Sequence, residues 1–345
     1  MPIGAIQIGK GGCKCQSVTV PPVWGRPVFT NVSLSGGSVF TDAATDNLLV
    51  GSGFPAHTTG DENVGFGPRV FDGLTTGNYN CAFGLAAMET ITTGTYNTAF
   101  GRRAMAQCGI AAGDNCAFGT NALERVSGPS NSAFGVTALA LCTTGALNSA
   151  FGSWCLHDLV DGVDNSAFGF YAGKEITSGT DNTLVGFQAG YKLTTPSGNV
   201  AIGASALHSC TVFGDNVAVG RYSLLNCDGS GNVAVGTATL FASTTGVGNV
   251  AIGNTAGRYE TGDNKLFIDN TARANEADGR IKALIYGIFA AATANQWLRI
   301  NGHFGILLAE VPAGANNAAA QAAGLAVGDF YRTNADPSVL CIRSA

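Results

Sequence analysis

The chain has 345 residues, a formal net charge of −5, 12% charged residues and 49 glycines, with 46% apolar residues. Charge is scarce and glycine abundant against ordinary globular usage, yet the apolar share excludes a disordered chain. No Lys/Arg cluster offers the basic footprint that nucleic acid requires. The longest apolar run, 283–292, is interrupted by Gly287 and falls short of the roughly 20 residues of a membrane-spanning helix.

The first residues, MPIGAIQIGKGGCKC, lack a basic start followed by an apolar core. A secretory signal is therefore not expected, and the chain is expected to be made and assembled in a cytoplasm. Residues 1–46 hold Pro2, Pro21, Pro22 and Pro27 and short β-like runs at 17–20 and 29–34, and they do not repeat. Of the ten cysteines, Cys13 and Cys15 form a C-x-C pair. No C-x-x-C exists, so zinc-ribbon spacing is absent, and a cytosolic origin favours free thiols.

From residue 47 the chain repeats. Aligned asparagines stand at 47, 63, 80, 97, 115, 131, 148, 165, 182, 199, 216, 232, 249 and 264, at intervals of 15 to 18 residues, most often 17. Most units read NCAFG, NTAFG or NSAFG in the first half and NVAIG or NVAVG in the second, while those at 47, 63 and 182 fit less cleanly. Glycine fills the fourth place after the asparagine in every unit but the last, which has Ile268. Period-2 alternation bounded by glycine predicts a short strand.

Alternation places the first and third slots on one face and the second and fourth on the other. The first and third slots trade volume. Phe with Cys, Thr or Ser from Cys81 to Phe168 gives way to Val or Ile with Val from Val200 to Ile252. The trade predicts that these two side chains fill the coil interior. The Ala/Gly face is then a close-approach surface. Cys81 and Cys116 share the traded slot and are expected to be small core residues. A second segment follows, with a small residue at the seventh place and Leu, Met or Gly at the eighth, then turns such as TTG. Two short strands and two turns make one coil of about 17 residues, so the expected fold is all-β, a parallel β-roll or β-solenoid. The asparagines are expected to cap turns or to form a ladder along the roll.

The N-x-A-[FIV]-G unit at this period resembles the head repeats of trimeric autotransporter adhesins, and it is similar to repeats of phage tail-fibre and tail-spike proteins. The resemblance covers residues 47–268. It implies a homotrimer, three chains packed side by side through the Ala/Gly face. It assigns 1–46 to an N-terminal attachment or cap segment and 47–268 to the β-roll. Residues 269–314, with NKLFIDN at 264–270 leading in, become an intertwined β closing segment. Residues 315–345 become a tail with a short helix or turn and a β-hairpin.

No coiled-coil heptads or membrane-barrel strands accompany the repeats, which favours the phage branch. The implied role is a structural virion protein, a tail fibre or spike contributing to host-surface attachment. A trimeric capsid decoration or cement protein and a bacterial surface adhesin are the alternatives. The implied partners are two further copies of the chain, virion tail or baseplate proteins through 1–46, and a host receptor, a glycan or an envelope protein. In a trimer, Cys13 and Cys15 would gather six thiols near one axis. A shared metal and plain free thiols are the two readings.

Catalysis is not expected. Asp114, Asp158, Asp161, Asp164, Asp181 and Asp215 could supply the carboxylate pair of a glycosidase, but most precede a repeat asparagine, where Asp serves a turn. His57, His157, His208 and His303 are scattered. His157–Asp158 reads as a polar turn pair. No catalytic, cofactor-binding or metal residue is assigned, and no cofactor is expected.

Overall fold

The computed structural model describes residues 31–34, 37–42, 46–52, 59–109, 113–211, 214–292, 295–301, 330–332 and 340–342. The chain divides into two units, Met1–Leu298 and Arg299–Ala345. In the first, β1 (Asn31–Leu34), β2 (Gly37–Asp42) and β3 (Asn47–Gly51) pair antiparallel in sequence. β3 then starts a parallel stack. One three-residue strand per coil follows, from β4 (Val64–Phe66) to β15 (Val250–Ile252), and β16 (Lys265–Ile268) ends it. The fold is the expected β-solenoid, and the strand spacing makes the stack about 60 Å long. In the second unit, Phe330–Arg332 and Leu340–Ile342 pair antiparallel.

The strands have the expected residues but face the other way. The alanines Ala82, Ala99, Ala117, Ala133, Ala150 and Ala167 lie in register on successive strands and are fully buried. The first and third slots, including Phe83, Phe100 and Val200, are half-buried or exposed. The coil is too thin for the expected arrangement. Under each strand lie the seventh-slot alanines, the eighth-slot Met88, Met105, Leu123 and Leu139, and an eleventh-slot column that includes Ile91, Val126, Leu159 and Ile176, all buried. With those chains inside, the slot beneath the sheet takes Ala in most coils, and takes Leu184 where Gly173 and Gly190 leave room in the eighth slot. Cys155 Sγ lies 3.2 Å from the Ala167 carbonyl, and Ser223 Oγ donates to that of Ala234 at 2.9 Å. Ala150 is therefore core rather than an intermolecular surface. Cys81 and Cys116 sit half-buried on the outer face, not in the core.

The second segment is not a strand. Its sixth and eighth slots take left-handed backbone angles, as in Arg103 (φ 56), Met105 (φ 53), Trp154 (φ 60) and Leu156 (φ 49). Extended pairing cannot pass through such residues. The chain instead folds into a ridge of turns, each hydrogen-bonded to the next coil, as from Met88 N to Ala104 O at 2.9 Å. Gly173, Gly190 and Gly257 share that angle in the eighth slot, and the room they leave is taken by Leu184 and Phe267 from the facing sheet.

The repeat asparagines form a buried ladder. Asn148 donates Nδ2 and its backbone N–H to Asn131 Oδ1 at 3.0 and 3.1 Å. Its Nδ2 also reaches the Gly162 carbonyl at 2.8 Å, closing its own coil. Its Oδ1 receives the matching pair from Asn165 at 2.9 and 3.1 Å. All thirteen asparagines from Asn47 to Asn249 are at most 2% exposed. The fourteenth is out of register by one residue. Lys265 N, not Asn264, meets Asn249 Oδ1 at 2.8 Å, and Phe267 lies opposite Ala251. The sequence alignment on Asn264 is corrected accordingly, which accounts for Ile268 at the aligned glycine place.

The fourth-slot glycine marks a close approach. At Gly101, φ is +140° and an added Cβ would lie 2.4 Å from the Gly119 carbonyl oxygen. Only glycine meets both conditions.

After β16 the parallel stack stops, and β17 (Ile285–Ile288) pairs with it antiparallel. Between them lies α1 (Glu276–Lys282), which the sequence reading does not anticipate. Its signal is Asn275, whose side chain accepts from Asp278 N at 2.8 Å. The helix carries Arg280 to Glu260, which occupies the eleventh slot of the last coil and is 1% exposed. Arg280 Nε and a terminal nitrogen contact both Glu260 oxygens at 2.8 and 2.5 Å. A buried carboxylate, paired with a part-exposed guanidinium, thus stands where the apolar column ends.

Three substitutions test this architecture by denaturant unfolding followed by circular dichroism. Gly101→Ala is expected to destabilise by more than about 1 kcal/mol, from backbone strain and the clash together. Ala150→Leu is expected to cost about 1–3 kcal/mol by overpacking the interior of each chain, whatever its state of association. Arg280→Ala is expected to cost about 1–3 kcal/mol, because it removes the charge-assisted bonds to the buried Glu260 carboxylate and leaves it only the Gly262 N–H. A double variant, Arg280→Met with Glu260→Leu, is expected to recover much of that loss.

Candidate interaction surface

The outward third slots of the sheet make one continuous apolar column, beside a first-slot column of Thr, Ser, Cys and Val. In its first half, Phe66, Phe83, Phe100, Phe118, Phe134, Phe151 and Phe168 stack with ring centroids 4.6–4.9 Å apart and planes within 13°. Identical rings in register must stack this way, since the coils are one strand spacing apart. Beyond Phe168 the column continues as Val185, Ile202, Val219, Val235 and Ile252. Phe168, Val185, Ile202, Val235 and Ile252 are each 37–43% exposed. The change from Phe to Val/Ile is a change of surface, not of interior packing.

A second surface is the turn ridge, where sixth-slot side chains meet ninth-slot side chains of the next coil. Early in the stack these slots hold ion pairs, Arg69 with Glu89 and Arg103 with Glu124. In the middle they hold rings. Trp154 lies 6.2 Å from Tyr171, Tyr171 lies 5.8 Å from Tyr191, and Tyr191 stacks on His208 at 5.2 Å.

Among the described residues, the candidate Asp and His side chains are not brought together into a catalytic arrangement. Asp114, Asp164, Asp181 and Asp215 each precede a ladder asparagine with φ of 57–59°, a left-handed turn position that Asp tolerates. Asp158 receives Lys174 Nζ at 3.1 Å and lies 2.5 Å from His157 Nδ1. Asp161 is exposed on a turn. His208 Nδ1 is 3.0 Å from Ser209 Oγ, and burial, then the nearby Lys192, lowers its pKa. Cys13, Cys15, His57 and His303 lie outside the described residues, as does most of 1–46 and 315–345. Among the described residues, no group of three or more His, Cys, Asp or Glu could hold a metal ion, and no helix is long and apolar enough to cross a membrane.

No family model, no curated protein and no solved structure matches this chain.

The cysteines report on the two sides of the coil. Burial pushes the Cys108, Cys142 and Cys155 thiols up to about 12, and partial burial raises Cys81 and Cys116. The thiolate is the reactive form. Cys108, Cys142 and Cys155 are therefore expected to resist a maleimide throughout pH 7–9 until the coil unfolds. Peptide mapping of the alkylated native protein checks this.

Proposed function

We propose that this chain is a structural virion protein, a homotrimeric tail fibre or spike that contributes to host-surface attachment. The observation supporting it is the outward column of Phe, Val and Ile along the stack. A continuous apolar column about 60 Å long on the outer face of a sheet is the kind of surface that marks an interface. Three copies placed with these columns together would bury them, leaving the turn ridges outward. The resemblance of the repeats to phage fibre and adhesin-head repeats adds the virion setting and the number three. The interface in this proposal is the Phe/Val/Ile face, not the Ala/Gly face.

The attached receptor would be a glycan or an envelope protein, met by three copies at once, so that weak contacts sum to firm adsorption. Residues 1–46 would join the fibre to other tail or baseplate proteins.

Light scattering on the native chain is expected to give about three times the 35.0 kDa chain mass. Replacing Phe134 and Phe151 together by Asp is expected to yield monomers whose circular dichroism is unchanged, since both side chains point outward. In the assembly, Cys81 and Cys116 are expected to be shielded from maleimide, and in the Phe→Asp monomers to react. A monodisperse native monomer contradicts the proposal. Cryo-imaging of particles carrying the protein is expected to place it on the tail; density on the capsid shell would identify a decoration protein, and a cell-envelope location without particles an adhesin.

A further inference from the structure

The turn ridge of the middle coils carries a run of rings in successive coils that coil formation does not require. The sixth slot holds Ala86, Thr137 and Ala238 in other coils, each at the same left-handed φ of 50–58°. Small residues therefore satisfy the backbone there. Large side chains occur there too, Arg69 and Arg103 in ion pairs and Tyr222 beside Phe241, and in two consecutive coils the slot carries Trp154 and Tyr171, at φ 60 and 61°. Bulky residues are uncommon at such angles. The ninth slot in the same region carries His157, Lys174, Tyr191 and His208.

These side chains form one patch rather than separate decorations. Trp154 packs on His157 with centroids 4.5 Å apart. Tyr171 stands edge-on to Tyr191 at 84°, while Tyr191 and His208 lie within 11° of parallel. All remain half-exposed. Polar groups interleave with the rings. Lys174 Nζ is 5.9 Å from the centre of the Tyr191 ring and 3.1 Å from Asp158 Oδ2. Asp158 in turn holds His157. The formal charges along the patch cancel, Asp158 and Glu175 against Lys174 and Lys192.

That balance selects the ligand. A polyanion such as nucleic acid needs a net positive strip, and an apolar protein face would strand the Asp158–Lys174 pair out of water. A neutral, polyhydroxylated chain suits both components. Its sugar rings offer C–H faces to the aromatic rings, and its hydroxyls can both donate and accept with carboxylate, ammonium and imidazole groups. The rings succeed one another along the stack at 5.2–6.2 Å, a step comparable with the width of one sugar ring.

We infer that the ridge of Trp154, Tyr171, Tyr191 and His208, with Asp158 and Lys174, is a binding site for a neutral linear glycan lying along the stack. The inference rests on the surface-attachment reading above and gives that reading its receptor class and its location. The ridge, unlike the apolar sheet face, stays outward in the proposed trimer, so each assembly presents three such sites.

The test is a titration of the full chain with maltohexaose, cellohexaose and mannohexaose, and with a sialylated oligosaccharide, read by calorimetry and by tryptophan fluorescence. At least one neutral hexasaccharide is expected to bind, and the sialylated one to bind more weakly. Trp154→Ala and Tyr191→Ala are each expected to weaken binding about tenfold or more, the effect of truncating a central aromatic anchor. Tyr96→Ala, which removes an exposed ring on another edge of the coil, is expected to leave affinity unchanged. Circular dichroism and light scattering of each variant separate lost binding from lost fold; if Trp154→Ala unfolds, Trp154→Leu takes its place. Binding of none of the neutral probes, preference for the acidic one, or wild-type affinity in the ring variants would overturn the site. Trimers that bind no glycan refute the glycan site alone. A monomer that binds glycan through Trp154 and Tyr191 refutes the trimer and leaves the site standing.

Discussion

The buried asparagine ladder is the constraint on which the rest of the structure depends. Each rung satisfies two donors and one acceptor of a side chain that has no access to water. An amide buried without those partners would be costly, so a coil can close only where its asparagine meets the one before. The ladder thereby sets the register of every strand. Slipping one coil by a residue would orphan a rung on each side of it. The Nδ2 bond to a carbonyl 13 residues on at Asn115 and 14 on at Asn148 closes both on the same rung, so those shorter and longer coils differ in their turns and not in their strands.

Register has consequences for both faces. Inward, it stacks Ala on Ala, leaving room for one layer of Leu, Met and Ile beneath a thin sheet. Outward, it stacks Phe on Phe in an unbroken column. Identical side chains at strand spacing favour this geometry, as in cross-β assemblies. Here a single chain supplies the copies. The same register aligns the turn ridge, so that a few non-small residues in adjacent coils become a patch. Trp154, Tyr171 and Tyr191 are far apart in sequence and close in space for that reason.

Much of the architecture is legible in the residues alone. The period, the strand at N-x-A-x-G and the glycine that permits close approach are all visible in single units. The asparagine ladder follows from a polar residue recurring at a strand start. The direction of the faces is not legible, because alternation groups residues into two sets without saying which set is inside. Size suggested Phe100 and not Ala99, but the interior was already filled by Met105 and its equivalents from the second segment. That segment misled for a related reason. Leu or Gly in one slot reads as apolar variation until Leu156 and Gly173 are seen to share a left-handed angle. Asn264 attracted the alignment although Lys265 takes the rung, since the backbone N–H that closes the ladder belongs to any residue. The candidate surface was harder still. Phe83 and Phe100 were legible as a set but assigned to the core, and the ring patch needs the ridge geometry to bring coils together.

The account stands on the ladder holding every coil in one register along the whole stack. Residue-resolved amide hydrogen exchange on the native protein tests this most directly, because each ladder N–H from Asn63 to Asn249 donates to a buried side-chain oxygen. The account predicts that these twelve positions are the slowest in the chain and are protected alike from end to end. Rapid exchange at the asparagine N–H groups, or protection that lapses partway along the stack, would contradict it.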